Sequence, residues 1–312
     1  MTDVVTLTLN PAIDMSASVD KVVPVRKLRC RNQRSDPGGG GINVARVVRR
    51  FGIEVLAVYP VGGFPGRLLL QLVEHEGVPS LPVEIAGETR EDTHILDEST
   101  GEQFRFVFPG PHLAAVEWHR ILAAATSLHP LPRYLVASGG LADGVPDDFY
   151  ARLARRCRRD GVPLILDTHG PSLAPALKVG VHLVKPNQRE FCEYLGRTLE
   201  TPEDFARAAG ELVADGRCEV AVVTLGESGA VLATREGGWI SPALPAAVTS
   251  AVGAGDSFMG AMVAALFKGA SVQDAFRTGV AGGTATLLRP GTELCHPEDV
   301  ERLLPQVSLR RL

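Results

Sequence analysis

Apolar and polar positions change period along the chain, and each change marks an element. Short apolar and β-branched runs at Val4–Leu9, 54–61, 134–137, 164–167, 182–184 and 220–224 read as strands. Between them, apolar residues recur three and four apart over 42–52, 65–76, 114–128, 146–160, 255–268 and 271–288, which predicts helices. Strands alternating with helices imply a mainly parallel, doubly wound sheet covered on both faces, an α/β/α sandwich. The arginines of 152–159 read as a solvated helix face.

Two stretches depart from that rhythm. Residues 88–108 read as strands paired around Ser99-Thr100-Gly101, with Phe104, Phe106 and Phe108 on one face and Arg105 on the other. Residues 21–34 are basic, and the alternation of Lys27, Arg29 and Arg31 predicts a strand with these three on one face and Leu28 and Cys30 on the other. Together, about 15–35 and 88–108 predict a small sheet apart from the main one. A sheet that small is marginal in water, so its phenylalanines need a cover, either the main body or a second subunit.

Composition narrows the class. A chain of 312 residues suits one large α/β domain over 1–312 with a small appendage. The net charge of −4 argues against nucleic acid, and no aromatics interleave the basic stretch. Cys30, Cys157, Cys192, Cys218 and Cys295 lack metal-site spacing and read as reduced thiols of a cytoplasmic protein. The first residues carry no basic and apolar leader, and no run of eighteen uncharged apolar residues suggests a membrane span.

The candidate chemistry centres on Thr249–Gly260, TSAVGAGDSFMG. Gly253 and Gly255 leave the backbone bare, Asp256 follows, and an apolar helix begins. A helix N-terminus offers unpaired N–H groups and a partial positive charge. An anion hole beside a carboxylate suits phosphoryl transfer, with the carboxylate accepting the proton of an attacking hydroxyl. Asp14, just past the first strand, could accept from sugar hydroxyls or simply hold a turn. The run Gly38–Gly41 makes sense where backbone must pass close to a ligand, with Asn43 in the first turn of the next helix. Asn187 and Glu190, three apart at a helix start, could hold magnesium waters or cap the helix. Leu225-Gly226-Glu227-Ser228-Gly229 is a glycine turn at a strand end, fit to cradle a nucleotide.

In the order TLNPAID, GGGGINVAR, KPNQRE, TLGESGA and AVGAGDSF, the chain resembles the ribokinase-like sugar kinases, the phosphofructokinase B family. KLRC, GGGGINVAR and TGEQFRFVFPG bring it nearest to the ribokinase-fold 6-phosphofructokinases. The resemblance implies ATP, Mg²⁺, a phosphorylated sugar acceptor and a β-sheet lid. It implies Asp256 as catalytic base, with Gly253, Ala254 and Gly255 lining the anion hole. Asn187 and Glu190 would organise the metal; Lys185, Asn187, Thr224, Gly226 and Gly229 would lie along the nucleotide. Asp14, Gly39, Asn43 and Ser138 would hold the sugar, and Lys27 and Arg29 its phosphate. Arg90 would reach the sugar phosphate of a neighbouring subunit, since family dimers pair their lids.

Two runs depart from the family pattern. Ser138–Gly144 stands where SGSLPPG is expected, adding the charge of Asp143, and Asp167-Thr168-His169-Gly170 stands where a DSSG-like run is expected. Ser250 and Val252 bring no carboxylate to the place where some relatives bind a monovalent cation, which leaves that site open. Fructose 6-phosphate is the expected acceptor, because relatives acting on fructose 1-phosphate tend to carry a lysine in the glycine run and Gly38–Gly41 have none. Fructose 1-phosphate and tagatose 6-phosphate are the alternatives, and a sugar-phosphate sensor without turnover is a third.

Overall fold

The computed structural model describes residues 3–312. Ten strands form the main sheet, in the spatial order Arg310–Arg311, Gly237–Ser241, Ala230–Thr234, Cys218–Thr224, Val181–Val184, Leu164–Asp167, Tyr134–Ser138, Val4–Leu7, Val55–Val61 and Ser80–Glu84. From Cys218–Thr224 to Ser80–Glu84 every pairing is parallel. The other three strands form an antiparallel edge. The hairpin of Ala230–Thr234 and Gly237–Ser241 was not visible in the helix–strand alternation, because both strands follow Cys218–Thr224 with no helix between them.

Strand residues alternate between two cores. Leu7, Leu135 and Leu166 pack on one face with the helices Ala115–Thr126, Phe149–Asp160 and Pro202–Ala214. Val4, Val136, Ile165 and Leu183 pack on the other with Gly40–Arg50, Ala254–Phe267 and Val272–Leu287. Such two-sided burial is why these strands read as continuous apolar runs.

Ala12–Val19, Arg31–Gly38, Arg90–Asp97 and Gln103–Phe106 form a separate four-stranded sheet, in the order Arg31–Gly38, Ala12–Val19, Arg90–Asp97, Gln103–Phe106. Its two faces differ. Asp14, Ser16, Asp92 and His94 are buried on one, whereas Phe104 and Phe106 are exposed on the other, with Val107 and Phe108 exposed just beyond the strand.

Two expectations fail here. Lys27 and Arg29 do not share a strand face with Arg31; both lie in an exposed loop, and the strand starts at Arg31. The reason is pairing: the ladder ends at Ser18 opposite Arg31, and Ala12–Val19 has a single residue beyond Ser18, so Lys27 and Arg29 have no strand to pair with. Asp14 is not in a turn past the first strand. It lies within Ala12–Val19, opposite Asp36 on one side and Asp92 on the other.

The helix Ala254–Phe267 is buried almost all round, and its neighbours approach closely through glycines. A β-carbon at Gly282 would stand 2.6 Å from Ala261 Cβ and 2.9 Å from the Ser257 carbonyl oxygen. Gly282→Ala should therefore destabilise the fold by about 1–3 kcal/mol through overpacking, read as a lower denaturant midpoint at unchanged slope.

Candidate active site

The site forms at the carboxyl end of Val4–Leu7, where strand order reverses: one neighbour is Val55–Val61 and the other Tyr134–Ser138. Open α/β sheets bind ligands at such switch points. The glycine run lies directly over it. A side chain at Gly38 would overlap the Asp14 carboxylate, and one at Gly40 would overlap the Ser138 hydroxyl. A β-carbon at Gly41 would meet the Leu7 carbonyl oxygen at 2.5 Å and Thr8 Oγ1 at 2.6 Å. Gly39 turns the chain with φ 106° into the helix Gly40–Arg50. The bare backbone thus lets Asp14, Ser138 and Asn43 converge.

Asp256 stands in the first turn of Ala254–Phe267, whose N-cap Gly253 has φ 75° and where no side chain caps the open N–H groups. Asn43 Nδ2 donates to Asp256 Oδ2 at 2.9 Å. Withdrawal from water pushes the Asp256 carboxyl up to about 7; the Asn43 hydrogen bond opposes this, the charge of Asp167 adds to it, Lys185 opposes it and Asp14 adds to it. Lys185 is buried, and its Nζ lies 2.9 Å from Asp167 Oδ2. A β-carbon at Gly255 would be 3.5 Å from that ammonium, so the lysine stands against the same glycine loop.

Asn187 and Glu190 form a capping box: Glu190 N donates to Asn187 Oδ1 at 3.0 Å and Asn187 N donates to Glu190 Oε2 at 2.9 Å. Glu190 Oε1 takes no part in the cap and lies 3.9 Å from His169 Nδ1. Among the described residues no cluster of three acidic, histidine or cysteine side chains could hold a metal by itself. An amide and a carboxylate with one oxygen free of the cap are a donor set that would suit a hydrated divalent cation better than a closed protein cage.

Thr224 ends its strand beside Asn187, with its N–H donating to the Pro186 carbonyl at 3.2 Å. Gly226 starts a short 3₁₀ turn, and Gly229, at φ 94°, abuts the Ser241 carbonyl where no side chain fits.

Arg90, Asp143 and His169 are each held by contacts within the chain. Arg90 is tied inside its own chain: Nη1 to the Phe108 carbonyl at 3.1 Å, Nη2 to the Asn10 carbonyl at 3.2 Å, and Nη1 to Asp92 Oδ2 at 3.2 Å. Asp143 is exposed and accepts from His112 Nδ1 at 2.8 Å, which holds its carboxyl below the usual range. His169 approaches the Ser138–Gly140 turn, its ring 3.1 Å from a β-carbon built at Gly140.

Two residues escaped the sequence reading altogether. Arg46 is 1% exposed on the apolar face of Gly40–Arg50, and Nη1 donates to Asn43 Oδ1 at 3.2 Å. Its signal was an arginine within Val44, Ala45, Val47 and Val48. His94 is 5% exposed, its Nε2 is 3.6 Å from Asp14 Oδ1, and neither ring nitrogen has a hydrogen-bond partner among the described residues. A buried imidazole without a hydrogen bond is costly. Its signal was Asp92-x-His94, polar residues at every second position of a strand.

A carboxylate beside an uncapped helix start, at a switch point under a small sheet, is what a phosphoryl-transfer site requires. The chain belongs to the pfkB family of carbohydrate kinases, whose model matches residues 1–299. It is 44% identical over 299 residues to the ATP-dependent 6-phosphofructokinase isozyme 2 of Mycobacterium tuberculosis, covering 96% of this chain and 88% of that one. A crystal structure of Escherichia coli phosphofructokinase-2 with substrates and products superposes with a TM-score of 0.93 at 37% identity, over 98% of this chain and 99% of that one. Other crystal structures of that E. coli protein hold potassium, or show a tetrameric inhibited form. The 1-phosphofructokinase of Bacillus subtilis is 30% identical over 307 residues, 98% of this chain and 99% of that one.

The carboxyl of Asp256 binds its proton more tightly in the folded protein, at about 7, than at its ordinary value of 3.8. Charging it therefore takes away stability as pH rises from about 4 to 7, and the deficit stays constant above that. Asp256→Asn removes the deficit. Urea denaturation should find the variant more stable than the parent at pH 8, with the difference vanishing near pH 4.

Proposed function

We propose that this chain transfers the terminal phosphoryl group of ATP to the 1-hydroxyl of fructose 6-phosphate. The observation that carries the reading is Asp256: a carboxylate poised near neutrality, hydrogen-bonded to Asn43, at an uncapped helix N-terminus. Asp14, Ser138, Gly39 and Asn43 orient the sugar so that its free hydroxyl meets Asp256. Asp256 accepts that proton as the phosphorus–oxygen bond to the acceptor forms and the bond to the leaving diphosphate breaks. The N–H groups of Gly253, Ala254 and Gly255 hold the charge that develops on the transferring oxygens. Lys185, Asn187, Thr224, Gly226 and Gly229 lie along ATP. Asn187 and Glu190 would hold a hydrated Mg²⁺, which would supply charge neutralisation at the phosphates.

Lys27 and Arg29 are proposed to reach the sugar phosphate from their exposed loop, Arg90 from the small sheet. His94, beside Asp14, gives that end of the pocket a further polar group. A monovalent cation near Ser250 and Val252 belongs to this reading as an open element, supported by the E. coli relative having been solved with potassium.

The general-base role predicts that Asp256→Asn lowers kcat by roughly 10²–10⁴-fold with ATP affinity nearly unchanged; half of the parent activity would refute the assignment. A coupled ADP-release assay run on fructose 6-phosphate, fructose 1-phosphate and tagatose 6-phosphate tests the acceptor. A tenfold preference for either of the last two, or no ADP release with any, would replace this reading by its rivals.

The exposed Phe104, Phe106, Val107 and Phe108 support a homodimer paired through the lids. Burying one phenylalanine contributes about 1.5–3 kcal/mol. Phe106→Asp should shift sedimentation toward monomer and raise KM for the sugar phosphate together. A fully active parent monomer would refute the pairing.

A further inference from the structure

The search for a group acting behind the site leads to Arg46. A guanidinium can only donate hydrogen bonds, and this one is held from several sides. Nη2 donates to Glu76 Oε1 at 2.7 Å, and Nη1 donates to the Pro37 carbonyl and to Asn43 Oδ1, both at 3.2 Å. Asp36 Oδ1 lies 3.6 Å from Nη2. Asp36 in turn accepts from Thr292 Oγ1 at 2.6 Å and pairs with Arg34 Nε at 2.8 Å. Glu76 accepts from Arg50 Nη2 as well, at 3.1 Å.

The side-chain amide of Asn43 has two ends of opposite character. One end faces Arg46, which offers only hydrogens, and the other faces the Asp256 carboxylate, which offers only lone pairs. Reversing the amide would set donor against donor and oxygen against oxygen. A single orientation is therefore satisfied, and the fixed cation selects it.

We propose that Arg46 is a positioning residue for phosphoryl transfer: anchored on Glu76 and the Pro37 carbonyl, it fixes the Asn43 amide with Nδ2 toward Asp256. The proposal rests on Asp256 being the base. Arg46 touches no reacting atom; it acts through Asn43. It also joins the base to the small sheet, because Asp36 and Pro37 end the strand that leads into the glycine run. A displacement of that strand would be felt at Asn43.

The other groups whose charge reaches Asp256 are Asp14 from Ala12–Val19, Asp167 from Leu164–Asp167 and Lys185 after Val181–Val184. Arg46→Lys leaves each of these groups in the chain and keeps the cation, so a change in the titration of Asp256 that disappears when Asn43 is replaced travels through Asn43.

The test is Arg46→Lys, which keeps a cation for Glu76 but has one compact ammonium in place of the fork. With the amide released, Asp256 loses a hydrogen bond to its charged form. The acid limb of the kcat–pH profile should move up by about half to one pH unit, kcat at pH 7 should fall several-fold, and KM for ATP should stay as in the parent. In an Asn43→Ala background the same substitution should move the acid limb no further. Should Arg46→Lys fail to fold, the charge-neutral pair Arg46→Gln with Glu76→Gln is measured in the same way. A folded variant with lower thermal stability but the parental acid limb would make Arg46 merely structural and overturn the proposal. A parent enzyme without an acid limb near neutrality would instead overturn the assignment of Asp256, and this proposal with it.

Discussion

A carboxylate withdrawn from water resists ionisation, and the proposed reaction requires Asp256 to ionise near neutral pH so that it can accept a proton. The surrounding architecture answers that one demand. Burial and the like charges of Asp167 and Asp14 push its carboxyl up; Asn43 and Lys185 pull it back. The balance falls near 7, where a base is both available and strong enough to act. No single neighbour could set it. Each comes from a different element, so the tuning exists only once the sheet, the small sheet and the helices Gly40–Arg50 and Ala254–Phe267 have come together.

The same logic separates the two faces of the small sheet. Acids and a histidine crowd the inner face, where Asp14, Asp36 and Asp92 occupy matched positions on adjacent strands. Burial pushes Asp92 up, with the Phe108 N–H and Arg90 acting against that shift. Such a face is suited to hydroxyl-rich ligands and ill suited to packing. The outer face carries the opposite character, so a polar buried face and an exposed apolar one occupy one thin layer.

Most of this architecture was legible because the relevant signals are local. The glycine run, the glycines before Asp256 and the alternation of strand and helix follow from backbone conformation and burial period. The unread parts depend on pairing across long sequence separations. Lys27 and Arg29 alternate as a strand would, yet the partner strand ends before reaching them. Asp14 looks like a turn residue until Ala12–Val19 is seen to pair on both sides. Arg46 and His94 are polar residues in buried stripes; periodicity averages such residues away, and only the partners, or their absence, give them meaning. The capping box of Asn187 and Glu190 shows a further ambiguity, since the residues that close a helix are the ones that could hold a hydrated ion.

The helix that bears Asp256 is a core helix, apolar on nearly every side and wedged against its neighbours through Gly260 and Gly282. Surface loops can open at little expense while the rest of a protein stays intact, but an element of this kind opens only when the whole core does. The body of that helix is therefore insulated from partial melting. Local fraying, proteolytic nicking or mild heating should reach the small sheet and the exposed 20–30 loop long before it reaches the turns behind Asp256.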